Sequence, residues 1–580
     1  ADRSRGLGDV YKRQVCKKQL DLDSISTSPY HGDQHHHGDH LTPLRRFVGL
    51  LRLEAADIWT VFLFAFLAGV LTLATPLAIE SLVNVVSWGT YLQPLVVLGL
   101  ILLTCLGFAG VLRVLQMLVV ELIQQRQFVR IVSDLAHRFP RANQRSIERE
   151  YPRELANRVF DIMTIQKATA VLLLDGVSIV LTTALGMILL SLYHPFLLGF
   201  NIVMLLPMIS ITWLLGRGGI RTAIDESITK YRVVHWLQDV LASPSVFKSG
   251  GGQSLAIQRA NQLTADYITA RKQQFSVVVR QSAFAISLQV IASTAVLGLG
   301  GWLVIDKQLT LGQLVASELV VTVVVGAFAK AGKSLEKFYD LMAGVDKVGH
   351  LIDIPADPGQ AVGPLPAGPV EIRWRDLVFN RVASSSQVGS ATISAGSRVA
   401  IVGDDVDGRS DLARTLAGLR RPTAGFAQVG ELDSTHAAVE DSGRLVGYAG
   451  DKTVFHGTLR ENVDLGRTGI GASRVREVLS QVGLADTVLQ LPEGLQTELQ
   501  TGGYPLTASQ IAQLAIARAI ICQPKLVIID CLLDELAADV RKQVWTTLAA
   551  DDAAWTLVVV TNHEAVANLC DSQISVRKSS

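Results

Sequence analysis

The chain has 580 residues, enough for two or more domains. Its formal net charge is +1 and 18% of its residues are charged, which excludes a broad polyelectrolyte surface of the kind that binds nucleic acid. The mean hydropathy of +0.33 and the 49% of hydrophobic residues are high for a soluble chain. The apolar residues are concentrated between Ile58 and Lys330.

The five cysteines are scattered and form no CxxC pair, which argues against a disulfide framework and indicates a reducing compartment. They are Cys16, Cys105, Cys522, Cys531 and Cys570. We recognise no cleavable signal peptide before the first apolar run, so we expect that run to act as the targeting signal.

The first 43 residues divide into two segments. Residues 1–14, "ADRSRGLGDVYKRQ", resemble a translated sequencing adapter and are left out of the fold prediction. Residues 15–43 form a polar tail with histidines at positions 31, 35, 36, 37 and 40. We interpret it as a disordered tail, with a metal-binding tail as the alternative.

Six apolar runs have the length that crosses a bilayer. They cover 58–83, 94–123, 169–193, 196–216, 278–305 and 312–330. The connections 124–168 and 217–277 are long and helix-forming, and the first is rich in arginine, which marks the cytoplasmic side. We therefore predict a membrane α-helical domain over 44–350, with six transmembrane helices, long cytoplasmic extensions and both chain termini in the cytoplasm.

The acidic residues in or near these runs are Glu80, Glu121 and Glu318. We interpret them as helix-end or interhelical contacts rather than transport groups, although ionisable residues within a membrane often mark a substrate path.

A second domain follows a linker rich in proline and glycine at 351–369. From residue 370 to 580, the apolar stretches "VEIRW", "RVAIV", "KLVIID" and "TLVVVT" alternate with helical stretches. This alternation predicts βαβ units and a mainly parallel sheet.

The stretch "GDDVDGRSD", residues 403–411, follows "RVAIV" and has the spacing of a phosphate-binding loop. Gly403, Gly408 and Ser410 match that pattern. Arg409 stands where such a loop has lysine and Val406 where it has glycine, so the shape of the cation and the freedom of the backbone both differ.

Acidic residues also crowd this loop. Asp404, Asp405, Asp407 and Asp411 would face or flank a triphosphate. A like-charge pair about 5 Å apart costs roughly 3 kcal/mol at an effective dielectric constant of about 20. We predict that the loop binds ATP weakly or not at all.

The stretch "GGYPLTASQIAQLAIARAIICQPKLVIID", residues 502–530, resembles without gaps the signature motif, following helix and Walker B strand of an ABC cassette. Together with the six spans, it makes the chain, from about residue 44 to 577, similar to an ABC exporter half-transporter with a P-loop NTPase-like cassette. The resemblance implies ATP and Mg²⁺ as cofactors, with the metal at Ser410 and Asp530. It also implies that the signature residues contact nucleotide bound to a partner cassette; they are Thr507, Ala508, Ser509 and Gln510.

Compared with that family, the chain departs at its catalytic positions. Cys531 stands where the family has the glutamate that activates water, and loss of such a base typically costs about 10²–10⁴ in rate. The switch histidine is replaced by Asn562, and His563 lies one residue later, a shift that turns a side chain to the other face of a strand. We therefore assign no catalytic residue and interpret the nucleotide-binding motifs as degenerate.

Further departures lie around this site. Gly450 or Asp451 takes the place of the Q-loop glutamine, and Ala537 takes that of the dimer-bridging aspartate. Arg381 aligns with the aromatic residue that stacks on adenine. The nearby acids Asp534 and Asp539 are interpreted as solvated surface.

The resemblance implies a multi-pass protein of the plasma (inner) membrane, with the cassette in the cytoplasm and a second half-transporter as partner. We favour the catalytically degenerate half of a heterodimer that exports a substrate coupled to ATP binding and hydrolysis. The alternatives are a non-transporting membrane scaffold or regulatory subunit, and an active homodimeric exporter with unusual motifs. The sequence does not select a substrate.

Overall fold

The computed structural model describes residues 42–577 apart from 89–91, 144–146, 148–154, 156, 357–365, 381–384, 435–443 and 551–552. The histidine-rich tail and Arg381 lie outside the described residues. The chain divides into two compact units, one formed by residues up to 130 with 157–350, the other by 131–156 with 351–580. The first is helical, and most of the second is α/β.

The helical part is built from long apolar helices. Their bounds are α1 Pro43–Arg52, α2 Ala55–Thr72, α3 Ala74–Trp88, α4 Leu92–Arg138, α5 Asp161–Val171, α6 Val177–Tyr193, α7 Pro195–Leu215, α8 Gly219–Ala242, α9 Pro244–Lys248, α10 Gly252–Ile305 and α11 Leu311–Ile352. A short π-helix, Leu172–Gly176, joins α5 to α6. Several helices run far beyond the predicted spans: α10 has 54 residues, twice what a bilayer needs.

Six segments of the described chain are long and apolar enough to cross a membrane, as predicted. They are Ala55–Val86, Gln93–Arg141, Asp161–Tyr193, Pro195–Ala242, Gly252–Ile305 and Leu311–Ile352. Close packing between two of them depends on a small residue: a Cβ at Gly186 on α6 would lie 3.2 Å from Val320 Cγ1 on α11. Small residues allow helices to approach where no hydrophobic force drives them together.

Polar contacts also join these helices. Tyr193 donates to Glu80 across 2.8 Å, so this acid makes the interhelical contact that the sequence favoured. Arg113, which the sequence analysis overlooked, donates to the Thr72 hydroxyl across 3.2 Å. The buried Lys347 Nζ lies 2.5 Å from Ser227 Oγ and 3.8 Å from Asp161 Oδ2, and it ties α11 to α8 and α5.

The second unit contains two larger sheets and a two-stranded one. The strands are β1 Ile372–Asn380, β2 Ser385–Val388, β3 Ala391–Ile393, β4 Arg398–Val402, β5 Ala424–Val429, β6 Leu432–Asp433, β7 Val446–Ala449, β8 Gly457–Thr458, β9 Glu498–Leu499, β10 Leu526–Asp530, β11 Thr556–Val560 and β12 Ser572–Ser575. The parallel sheet has the order β12-β4-β11-β10-β7. The antiparallel sheet has the order β2-β1-β5-β6, with β3 also paired to β1.

Three of the four predicted strands lie in the parallel sheet, but "VEIRW" does not. Its last three residues, Ile372, Arg373 and Trp374, begin β1 in the antiparallel sheet, so its expected place in a βαβ unit was wrong. The reason is visible in its alternation, because Ile372 and Trp374 are buried while Arg373 and Arg375 are exposed. Strands β10 and β11 are instead buried at every position, as parallel strands usually are.

The α/β part of the second unit also contains short α-helices. They are α12 Val406–Leu416, α13 Leu459–Asp464, α14 Ala472–Gln481, α15 Ala485–Gln490, α16 Ala508–Ile520, α17 Ala538–Leu548 and α18 Glu564–Ala567. The apolar face of α16, including Leu514 and Ile516, packs in a cluster with Val527 and Ile529 of β10. This packing fixes the carboxyl edge of the sheet, where ligands bind in α/β folds.

Candidate nucleotide site

The strand order brings part of the predicted site together at one edge of the parallel sheet. Gly403 follows β4, Asp530 ends β10, Asn562 follows β11 and Gly450 follows β7. Because β11 lies between β4 and β10, Asn562 stands between the 403–411 loop and the Asp530–Cys531 pair.

The loop closes onto its own helix. Its entry is tight, because Gly403 has φ 131° and a Cβ there would collide with the backbone of Val576. Asp405 is the N-cap of α12, and its Oδ1 accepts from the Gly408 N–H across 2.9 Å. A Cβ at Gly408 would lie 2.5 Å from Asp405 Oδ2, so glycine is needed there to admit the carboxylate.

Arg409 points into the protein. Only 1% of the residue is exposed. Its Nη1 donates to the Thr561 carbonyl across 2.7 Å, and its Nη2 donates to Asn562 Oδ1 across 2.5 Å. Hydrogen bonds from a charged donor contribute about 1.5–3 kcal/mol each. The guanidinium therefore fastens α12 to the end of β11.

The other acids of the loop lie on different sides of it. Asp411 is fully buried, and Arg420 Nη1 lies 2.6 Å from its Oδ1. Asp404 and Asp407 are exposed. In this arrangement one helix N–H is capped, the Arg409 guanidinium is bound by Thr561 and Asn562, and the exposed side chains of the loop include two aspartates.

The residues predicted to hold Mg²⁺ do lie together. Ser410 donates to Asp530 Oδ1 across 3.1 Å, and Tyr448 donates to Asp530 Oδ2 across 3.2 Å. Burial, followed by the charge of Asp530, raises the pKa of Tyr448, so it remains a neutral donor. Carboxylate and hydroxyl oxygens suit Mg²⁺, and these two residues, Ser410 and Asp530, could hold the metal. The described residues contain no cluster of three or more His, Cys, Asp or Glu with metal-binding geometry.

Gly450, one of the two residues that take the place of the Q-loop glutamine, packs closely against Tyr448 and Asp530. At Gly450 a Cβ would lie 2.5 Å from Tyr448 Cζ and 3.0 Å from Asp530 Cβ. The next residue, Asp451, is bound by Arg414, whose Nη2 lies 3.1 Å from Asp451 Oδ1.

Cys531, at the position of the family's glutamate, lies in an environment that disfavours its thiolate. Burial, together with the charges of Asp530 and Asp534, raises the pKa of the thiol to about 12. The thiol is therefore protonated at neutral pH. The Asn562 amide nitrogen lies 3.9 Å from its sulfur.

The two residues predicted at the switch-histidine position, Asn562 and His563, differ in their contacts. Asn562 turns its amide towards Arg409, while His563 is exposed and begins α18 as its N-cap. Asp534 was wrongly interpreted as solvated surface: it accepts from the Thr561 hydroxyl across 2.5 Å and from the Asn562 N–H across 2.8 Å. Asp539 is exposed, as expected.

The signature residues form the start of α16. Thr507 and Gln510 make a capping box, in which Thr507 N–H donates to Gln510 Oε1 across 2.8 Å. Gln510 Nε2 also donates to the Thr487 hydroxyl across 2.9 Å. Thr507 and Ala508 are exposed and Ser509 is half-buried, so this end of the helix is accessible.

Tyr448, Thr561 and Arg414 were not predicted from the sequence. Tyr448 had one available signal, because it lies two residues before the Q-loop position at the end of a strand. The carbonyl of Thr561 carries no signal in the sequence.

Two family models match the chain. The model described as "ABC transporter transmembrane region" matches residues 58–328, and the model "ABC transporter" matches residues 387–532. Six membrane-length helices and this α/β cassette, joined in one chain, define a half-transporter with the exporter fold. The chain belongs to the ABC transporter family.

Relatives agree with this assignment. An uncharacterized ABC transporter ATP-binding protein from Sinorhizobium fredii is 26% identical over 49% of this chain and 50% of its own length. The chain thus matches about half the length of that relative. An "ABC multidrug transporter" from Aspergillus fumigatus is 24% identical over 87% of this chain and 66% of its own length. A solved bacterial Atm1-family ABC exporter with ATP bound has a TM-score of 0.78 and 20% identity, covering 93% of this chain and 95% of that one, and it shares the fold.

Proposed function

We propose that this chain is the non-hydrolysing subunit of an ABC exporter and that a partner half-transporter supplies the hydrolysis of ATP. The observation that carries the proposal is Cys531. A half-buried thiol with a pKa raised to about 12 stands where the family uses a glutamate, and a protonated thiol cannot take a proton from water near pH 7.

The role left to this chain is to complete the partner's site. The N-terminus of α16 is exposed at Thr507 and Ala508. A helix N-terminus attracts anionic groups through its free N–H groups and its dipole. In this proposal the 507–510 segment docks on nucleotide held by the partner. The membrane domain crosses the plasma (inner) membrane, with the cassette in the cytoplasm.

ATPase measurements test this division of labour. We expect negligible hydrolysis by the purified chain alone and restored hydrolysis after reconstitution with its partner half-transporter. Cys531→Ser should leave the activity of the pair unchanged. Robust hydrolysis by the chain alone, abolished by Asp530→Ala, would overturn the proposal.

Export needs a separate measurement, because the name of a relative does not assign a substrate. Vesicles that contain both subunits should show ATP-dependent movement of a substrate, and vesicles with either subunit alone should not. If the pair hydrolyses ATP but moves none of a lipid, peptide and drug panel, the scaffold alternative is favoured.

A further inference from the structure

We propose that the 403–411 loop is closed to nucleotide by the chain's own side chains, with the Asp405 carboxylate standing in for a phosphate and Arg409 acting as an internal clasp. This inference rests on the proposed function, since it concerns the same site. It goes further, because a site can bind nucleotide without hydrolysing it, whereas this one is proposed to bind none.

The first support is the N-terminus of α12. A phosphate-binding loop offers free backbone N–H groups at this point. Here the Gly408 N–H already donates to Asp405 Oδ1 across 2.9 Å, and Asp405 is 6% exposed. Its Oδ2 is buried and makes no hydrogen bond within the described residues. An anion therefore occupies the end of the helix and is covalently part of the chain.

The second support is the direction of Arg409. In a phosphate-binding loop the basic residue reaches the β- and γ-phosphates. Both terminal nitrogens of Arg409 are instead bound to Thr561 and Asn562, which lie beyond the end of β11. To contact a phosphate, the guanidinium would have to leave a site in which it is 1% exposed.

The third support is the neighbouring acidic residue. Both carboxylate oxygens of Asp530 accept from hydroxyl groups of the protein, those of Ser410 and Tyr448. The anionic and cationic positions of the loop thus each have an internal occupant, and the carboxylate at the metal position is hydrogen-bonded within the chain. A loop that merely lacks a catalytic base would not need all three.

Binding measurements on the full chain in detergent micelles test the proposal. With Mg²⁺ and millimolar ATP, the thermal midpoint of the wild-type chain should not change. A fluorescent ATP analogue should bind the double variant Asp405→Gly, Arg409→Lys at least about tenfold more tightly than wild type. Glycine is tolerated at an N-cap, so the variant removes the carboxylate while α12 keeps its start.

The matched control is Asp539→Asn, which removes one negative charge from an exposed position on α17 and should leave binding at the wild-type level. Tight binding by wild type that Asp530→Asn abolishes would overturn the inference. A folded double variant with no gain in affinity would do the same. Wild-type binding without hydrolysis would refute this inference and leave the proposed function standing, whereas hydrolysis by the chain alone would refute the proposed function.

Discussion

Substitution of Arg409 by methionine measures how much the hydrogen bonds of its guanidinium contribute to the stability of the cassette. Methionine keeps most of the aliphatic volume and removes the guanidinium. The Thr561 carbonyl, in a residue that is 1% exposed, then loses its donor, whereas the exposed Asn562 amide can bind water. A buried acceptor left without a donor costs about 1–3 kcal/mol. The substitution also removes the free-energy cost of burying the charged guanidinium, which offsets part of that loss.

The net cost should be about 2 kcal/mol, which lowers the thermal midpoint of a domain of this size by about 4–8 °C. The assay is thermolysin cleavage of the cassette in the full chain after brief heating steps. Arg476→Met is the matched control, because Arg476 lies exposed on α14 and surface changes usually stay within about 0.5 kcal/mol. A midpoint for Arg409→Met within about 1 °C of this control would refute the reasoning.

Three further substitutions or reactions test other contacts. Asp411→Ala removes the fully buried carboxylate that pairs with the largely buried Arg420 side chain and should cost about 3 kcal/mol in the same assay; a loss below about 1 kcal/mol would contradict the pair's importance. At pH 8, Cys531 should react with iodoacetamide about 10³-fold more slowly than free cysteine, because its raised pKa leaves little thiolate. The rate should rise towards pH 12. A rate equal to that of free cysteine would be inconsistent with the raised pKa. Because that pKa lies above the ordinary value of 9.0, the protonated thiol stabilises the fold below about pH 9, and this contribution is lost as the pH rises through about 12. Thr507→Ala should cost about 1 kcal/mol by removing the cap that Gln510 completes, while Thr507→Ser should not, and equal midpoints for the two would argue against the cap.

The membrane part and the parallel strands were predictable because their signals are local. A run of about twenty apolar residues specifies a spanning helix without reference to any other part of the chain. The bounds of the helices were less accessible, since α10 continues as one helix through both polar and apolar sequence. The antiparallel β1 was misplaced although its alternation at Ile372 and Trp374 was readable.

The candidate site was predictable in position but not in contacts. The spacing of Gly403, Gly408 and Ser410 located the loop after β4. It could not show that Arg409 turns inward, because that direction depends on the Thr561 carbonyl and therefore on which strand lies beside β4. The sequence likewise suggested four aspartates around a ligand, whereas the structure pairs Asp411 with Arg420 and uses Asp405 as a cap.

The residues that differ from the family's motifs at this site contact one another. This favours a site whose residues changed together over one that lost its residues independently. Arg409, at the lysine position, is bound by Asn562, at the histidine position, and a lysine ammonium lacks the planar fork that reaches both Asn562 and the Thr561 carbonyl. At Gly450, one of the two candidates for the Q-loop position, the absence of a Cβ leaves the space that Tyr448 uses to reach Asp530. It follows that restoring the family's residue at one position of such a pair removes a contact of the residue at the other position. Arg409→Lys alone should therefore destabilise the cassette without opening the site, and only the combined change at Asp405 and Arg409 should expose the N-terminus of α12 to an anion.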